Sequence, residues 1–282
     1  MCQECGCNKK PEPGVAPVSG QSARVSTPAP KPSAHQEHGQ PHELDHHPDQ
    51  ISGGKQGSPS QDPPTKTLLL DEPILEQNDR LAERNRGFFL AKQLLVLNVL
   101  SSPGSGKTTF VQKTVEGLAP ALRAGIIVGD LATDNDARRL QATGAPVVQI
   151  NTGTLCHLDA AMIARAASQL PLDTLDILII ENVGNLVCPA AYDLGEDLRI
   201  VMLSVTEGED KPLKYPPMFH SAHVAIISKN DLSEAAGFNR EQAIANLHRI
   251  SHHATILEVS AKTGHGMDAW LRFLREQKAK KQ

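Results

Sequence analysis

Aromatic residues are scarce: they make up 3% of the 282 positions, with one tryptophan and two tyrosines. A chain that stacks single-stranded nucleic acid needs aromatics interleaved with a basic run, and no such run is present. A net charge of −4 gives no footprint for general nucleic-acid binding either. No apolar stretch approaches the roughly 18 residues of a membrane span; the longest are strand-sized. The N-terminus lacks a basic segment leading into an apolar core, so no secretory signal is expected, and a cytoplasmic location is. Cysteine is limited to five, an odd number that favours metal or redox chemistry over disulfide staples.

Large apolar residues are almost missing from residues 1–66, which are rich in proline, glycine and serine. Such a stretch cannot bury enough surface to offset its ordering entropy, so it is expected to be a disordered extension. Its polar residues are not bland. Cys2, Cys5 and Cys7 cluster at the start, and His35, His38, His42, His46 and His47 punctuate the middle.

Residues 67–282 have a different pattern. Residues 74–92 read as an amphipathic helix with Ile74, Leu75, Leu81, Phe88 and Phe89 as anchors. Strand-like runs follow at LLVLNVLSS, GIIVGD, PVVQI, LDILIIEN, LRIVMLSV, AHVAIIS and TILEVS, most of them separated by helical stretches that end with residues 267–278. Continuous apolar strands alternating with helices predict an α/β fold: a P-loop NTPase with a doubly wound, mostly parallel sheet and helices on both faces.

Ser101-Ser102-Pro103-Gly104-Ser105-Gly106-Lys107-Thr108 is a P-loop between a strand and a helix, followed by Thr109. Its glycines let successive N–H groups face a phosphate, and the helix N-terminus adds a positive dipole end. Lys107 would reach the β- and γ-phosphates, and the Thr108 hydroxyl would ligate Mg2+. Ser101 stands where the motif usually has its first glycine. Asp130 and Glu181 each end a strand, where ligands of such sheets bind, and either can hold Mg2+. Asp134 and Asp136 are candidates to position the attacking water, although surface loops are often acidic. Gly184 can offer its N–H to the γ-phosphate.

Ser228-Lys229-Asn230-Asp231 follows another strand and fits a guanine loop with serine in the asparagine position. The Asp231 carboxylate accepts both N1–H and the 2-amino group of guanine, whereas adenine presents an acceptor at N1. The Lys229 stem can lie over the purine, and Ser260-Ala261-Lys262 supplies the second base loop. A helix cap by Asp231 is the alternative.

Cys2-x-x-Cys5-Gly-Cys7 suits Ni2+ in planar or Zn2+ in tetrahedral geometry, with an exposed redox pair as the competing reading. The histidine tract can buffer metal or be a solvated linker. Cys156 and His157 are expected at the start of a helix, a place that lowers a thiol's pKa, with Cys188 shortly beyond Gly184. Buried free cysteines are more often inert packing, but two thiols and a histidine in nucleotide-side loops favour a ligand role.

Through SSPGSGKTT, GDLATDNDARR, NTGTLCHLDA, ENVGNLVCPA, the SKND loop and SAKTGHGM, the chain resembles the hydrogenase nickel-incorporation GTPases of the HypB family, in the SIMIBI class. The resemblance spans residues 68–282 and the extreme N-terminus. It implies hydrolysis of GTP to GDP and a GTP-dependent homodimer, with Cys156, His157 and Cys188 as a nickel or zinc site near the dimer contact. Turnover is expected to be slow, because the residues offer no obvious arginine finger in cis. It also implies a separate, tighter nickel site at Cys2, Cys5 and Cys7. The expected partners are the HypA chaperone and the [NiFe]-hydrogenase large subunit. A urease-type nickel-insertion GTPase and a nickel storage or sensing protein are the alternatives.

Overall fold

In the computed structural model, residues 71–130 and 135–281 are described. The 1–66 extension with Cys2, Cys5, Cys7 and the histidine tract lies outside them, as does Asp134. The chain opens with α1 (Asp71–Ala91), then β1 (Leu95–Ser101), α2 (Lys107–Leu118), β2 (Ala124–Asp130), α3 (Asn135–Gln141), β3 (Val147–Asn151) and α4 (Ala160–Ala167). It continues through β4 (Ile177–Glu181), β5 (Leu198–Ser204), α5 (Lys211–Lys214), α6 (Pro216–His220), β6 (Val224–Ser228), α7 (Arg240–Ile250), β7 (Thr255–Val259) and α8 (Met267–Ala279).

All seven expected strands form, and they pair in parallel in the order β3-β2-β4-β1-β5-β6-β7. β1, β4 and the central part of β5 are buried along their length, which is why they read as unbroken apolar runs. The chain leaves β1 toward β2 on one side and later crosses to β5 on the other. The crevice at the carboxyl end of β1 is therefore a switch point, where open α/β sheets hold ligands.

One face of the sheet packs against α2 and α8 through Phe110, Leu118, Trp270 and Leu274. Trp270 is fully buried 5.2 Å from the Phe110 ring, and its indole N–H donates to Thr114 Oγ1 at 2.9 Å. Truncating such a ring to alanine costs about 3–5 kcal/mol. The other face is covered by α1 and α4 beside β2 and β4, and by α6 and α7 beside β5 and β6.

The first helix forms as expected, but its anchors differ. Ile74 and Phe88 are 54% and 47% exposed, and Leu75 and Leu81 are half-buried. Of the five, Phe89 alone is in the core. The inner face is instead Asn78, Ala82, Asn85 and Phe89, at helical spacing. Its two amides bond to backbone: Asn78 takes the Ala160 N–H and donates to Asp193 O, while Asn85 donates to Ala160 O and Leu194 O. α1 thus docks on backbone polar groups at the start of α4 and in the 193–194 loop, a surface that requires polar anchors.

Candidate nucleotide and thiol site

β1 ends at Ser101, and α2 begins at Lys107 after a loop in which Gly104 and Gly106 adopt φ of +75° and +92°. Side-chain residues rarely take those angles, so the glycines let the loop turn its N–H groups inward. Ser101 is not an idle replacement for glycine. Its buried hydroxyl donates to Ser102 O at 2.8 Å and accepts from Lys107 Nζ at 3.3 Å. Burial lowers the Lys107 pKa, against the opposing pull of Glu181, Asp136, Asp130 and Glu207. A desolvated ammonium beside several carboxylates is ready for an anionic ligand.

Thr108 donates its hydroxyl to Glu181 Oε1 at 2.7 Å, while Glu181 Oε2 is buried without a hydrogen-bond partner. Burial raises the Glu181 pKa, opposed by Lys107 and Thr108. A hydroxyl and an orphaned carboxylate oxygen form the hard-oxygen donor set that Mg2+ takes. Asp130 and Asp136 line the same cleft of about 400 Å³, and Arg139 does too. A Cβ on Gly184 would lie 3.1 Å from Pro103 Cα and N, so its backbone rests directly on the P-loop.

A second cavity of about 210 Å³ adjoins Gly106 and Thr109 and is lined by Ser228, Lys229, Asp231, Ser260, Ala261 and Lys262. Ser228 donates to Ser105 O at 3.0 Å, so the serine in the asparagine position ties this loop to the P-loop. Lys229, at φ +59°, reaches Gly104 O at 2.6 Å. Asp231 is exposed within a 3₁₀ turn whose cap position is Lys229, which leaves the helix-cap alternative without a geometry. Asn230 bonds to His265 Nδ1 at 2.6 Å and joins the 228–231 loop to the 260–265 loop.

The sulfurs of Cys156 and Cys188 lie 2.8 Å apart, and both are free cysteines. One expectation needs correction. α4 begins at Ala160 with Asp159 as its cap, so Cys156 lies ahead of the helix rather than at its N-terminus. Its pKa is raised, first by the hydrogen bond to Cys188 and then by burial, because a neighbouring thiol opposes a second thiolate. The His157 ring stands apart from the thiols in the single chain. It stacks on Tyr192 with centroids 3.9 Å apart, and its Nδ1 is buried without a partner. Among the described residues no three Cys, His, Asp or Glu side chains converge as a metal site. The chain by itself therefore assembles a pair of thiols, each next in sequence to an exposed apolar residue, Leu155 or Val187.

Residues 95–258 match the family model CobW/HypB/UreG, nucleotide-binding domain. The hydrogenase maturation factor HypB of Escherichia coli strain K12 is 51% identical over 213 residues, 76% of this chain and 73% of that protein. The chain belongs to the HypB family. The hydrogenase/urease maturation factor HypB of Helicobacter pylori strain J99 is 42% identical, over 76% of this chain and 89% of that protein. The crystal structure of H. pylori HypB in complex with nickel superposes with a TM-score of 0.70, covering 72% of this chain and 96% of that one at 42% identity. HypB from Archaeoglobus fulgidus gives 0.68, covering 72% and 99% at 39% identity. Membership in this family of P-loop GTPases agrees with the all-parallel sheet and the two cavities.

In this HypB-family chain, a buried polar chain runs beneath the thiol loop. Asn182, the residue after Glu181, donates to Asn98 Oδ1 at 3.2 Å, and Asn98 donates to Glu196 Oε1 at 3.0 Å. Glu196 pairs with Arg199, whose guanidinium donates to the carbonyls of Ala190 and Tyr192 at 3.2 and 2.9 Å. Those carbonyls lie two and four residues after Cys188. Desolvation would raise the Glu196 pKa, but Arg199 and Asn98 outweigh it and hold the carboxyl below its usual range. Sequence reasoning missed Asn98, Glu196 and Arg199. The signal was one asparagine inside LLVLNVLSS and one arginine inside LRIVMLSV, since polar residues in buried strands require partners.

Proposed function

We propose that the chain is a GTP-hydrolysing nickel metallochaperone that supports insertion of nickel into the large subunit of a [NiFe]-hydrogenase. The observation that carries this reading is the 2.8 Å approach of Cys156 and Cys188, the latter four residues beyond Gly184 in the wall of the phosphate cleft. Ni2+ or Zn2+ is the cargo that such thiolates select. In this reading residues 1–66 form a metal-binding extension, with Cys2, Cys5 and Cys7 as a second nickel site, ahead of a GTPase domain spanning 67–282.

Lys107 and the P-loop amides bind the β- and γ-phosphates of GTP. Asp231 and Lys229 hold the guanine, backed by Ser260, Ala261 and Lys262. Thr108, Glu181 and Asp130 would hold Mg2+, which when bound neutralises phosphate charge. Asp136 and Asp134 orient the attacking water, and the Gly184 N–H contacts the γ-phosphate. Loss of that contact after hydrolysis relaxes the 184–188 segment, and the metal is released. Two thiols leave a four-coordinate site half filled. A GTP-dependent homodimer completes it by bringing two pairs together, with His157 turning from Tyr192 to join them. HypA receives the nickel in the cytoplasm and passes it to the large subunit.

The test is a Ni2+ titration of protein loaded with GDP or a non-hydrolysable GTP analogue, beside a version lacking residues 1–66. Nickel affinity in the truncated protein that changes with nucleotide and is lost in Cys188→Ala supports coupled delivery. Binding confined to residues 1–66 and indifferent to nucleotide overturns it in favour of storage. The H. pylori relative's name couples hydrogenase with urease, so deletion of the gene is scored for both enzymes. Loss of urease alone favours the urease-type reading.

A further inference from the structure

The helix α3 has two distinct faces. Ala137 and Leu140 are buried in the core. Asp136 and Arg139, three residues apart and therefore on one side of the helix, both line the phosphate cleft. Among the described residues that cleft has two basic side chains in its walls, Lys107 and Arg139.

Arg139 is held at the mouth of the cleft by α2. Its Nη2 donates to Thr109 Oγ1 at 3.1 Å and to Gln112 Oε1 at 3.4 Å. Thr109 directly follows the P-loop threonine. Both acceptors are neutral, and hydrogen bonds to ionised oxygens are roughly twice as strong, so phosphate oxygens arriving beside Thr109 compete well for the guanidinium. The charge of Arg139 is also felt at Glu181, deep in the same cleft.

We propose that Arg139 is a catalytic arginine supplied in cis, which leaves Thr109 and Gln112 to bridge α- and γ-phosphate oxygens of bound GTP. The proposal rests on the GTPase reading above. In the reaction the water oxygen bonds to Pγ, and the Pγ–O bond to the bridging oxygen breaks with its electron pair leaving on GDP. Both water protons end on the released phosphate, one still on the attacking oxygen and the other moved to a neighbouring phosphoryl oxygen. Arg139 forms no covalent bond. Its planar donors meet the negative charge that builds toward the bridge in the transition state, where an arginine is worth about 10³–10⁵ in rate in related phosphoryl transfers. The alternative is that Arg139 only ties α3 to α2.

The experiment compares full-length wild type, Arg139→Ala, Arg139→Lys and Gln112→Ala in GTP hydrolysis, in GTP and GDP affinity, and in trapping of GDP with aluminium fluoride. The expected result is a fall in kcat of at least about tenfold in Arg139→Ala. Nucleotide affinity changes by less than that, and the fluoride complex is lost. Arg139→Lys stays impaired because a point charge cannot bridge two phosphates, and Gln112→Ala keeps its turnover. A smaller fall, a fall matched by lost affinity, or an equal loss in Gln112→Ala overturns the assignment in favour of helix packing. A wild type that hydrolyses GTP beside an equally active Arg139→Ala removes this assignment alone, whereas a wild type without GTP hydrolysis removes the GTPase reading and this one together.

Discussion

Asn182 donates its side-chain amide to Asn98 Oδ1 at 3.2 Å, which joins the residue after Glu181 to the central strand beneath the thiol loop. From Asn98 the bonds continue through Glu196 and Arg199 to the carbonyls of Ala190 and Tyr192. Contiguity alone does not demonstrate coupling; a change in the equilibrium at one end when the other is perturbed does. Asn98→Leu removes the middle of the chain and leaves both ends in place. It is expected to lower stability by about 1–3 kcal/mol, the cost of stranding buried polar partners. Nickel and nucleotide should each still bind, while the ratio of nickel affinities with GDP and with a GTP analogue moves toward one. A ratio equal to that of wild type would show that the signal travels by another route.

Burial desolvates the Lys107 ammonium, which is what lowers its pKa. Holding that ammonium out of water costs the fold some stability, which an anionic ligand offsets. Lys107→Ala is expected to abolish GTP hydrolysis while the melting temperature of the nucleotide-free protein stays level or rises. Thermal melts with and without GDP test this. A marked drop in the nucleotide-free melt would mean that the lysine is structural, holding Ser101 in place.

Much of this was legible from residues alone, and what was not has identifiable causes. The strands could be read because their burial is continuous, and the P-loop because its glycines and Lys107 adjoin a strand. The meeting of Cys156 and Cys188 followed from the family's segments, since 32 residues separate them and no local rule joins them. Apolar spacing points to Ile74 and Phe88 on the inner face of α1, whereas the surface it meets is backbone and calls for Asn78 and Asn85. The Cys156 thiol gains nothing from a helix N-terminus because α4 starts later, at Ala160. In the run DARR nothing local tells which arginine faces the cleft; that depends on how Ala137 and Leu140 orient α3.

Asp231 is exposed beside the cavity between the two base loops and has no capping role. Its carboxylate can accept two hydrogen bonds from guanine, each a charge-assisted bond of about 1.5–3 kcal/mol. Asp231→Asn turns one acceptor into a donor, which faces the guanine N–H groups badly and a carbonyl at the same ring position well. GTP affinity is expected to fall at least about tenfold, with a gain in affinity for xanthosine triphosphate. Competition binding with the two nucleotides decides it, and an unaltered preference for GTP would remove Asp231 from base recognition.

The buried chain also has a pH dependence of definite sign. His223 Nδ1 accepts the Arg199 backbone N–H at 2.9 Å, a bond that requires an unprotonated nitrogen. Burial lowers the His223 pKa further, with the Arg199 charge acting in the same direction and Glu196 opposing it. A histidine whose folded pKa lies below its unfolded value contributes stability that is present above about 6.5 and lost as pH falls toward the folded pKa. Glu196, held below its usual range, behaves alike at lower pH: its contribution is present above the ordinary carboxylate pKa and lost in acid. Acid therefore loosens the Arg199 network in two stages, histidine first. His223→Gln keeps an acceptor for the Arg199 N–H and cannot titrate. The wild-type melting temperature is expected to fall more steeply between pH 7.5 and 5.5 than that of His223→Gln, with the two curves running parallel above pH 7.5. Parallel curves throughout would mean that protonated His223 is accommodated without loss of the bond to Arg199.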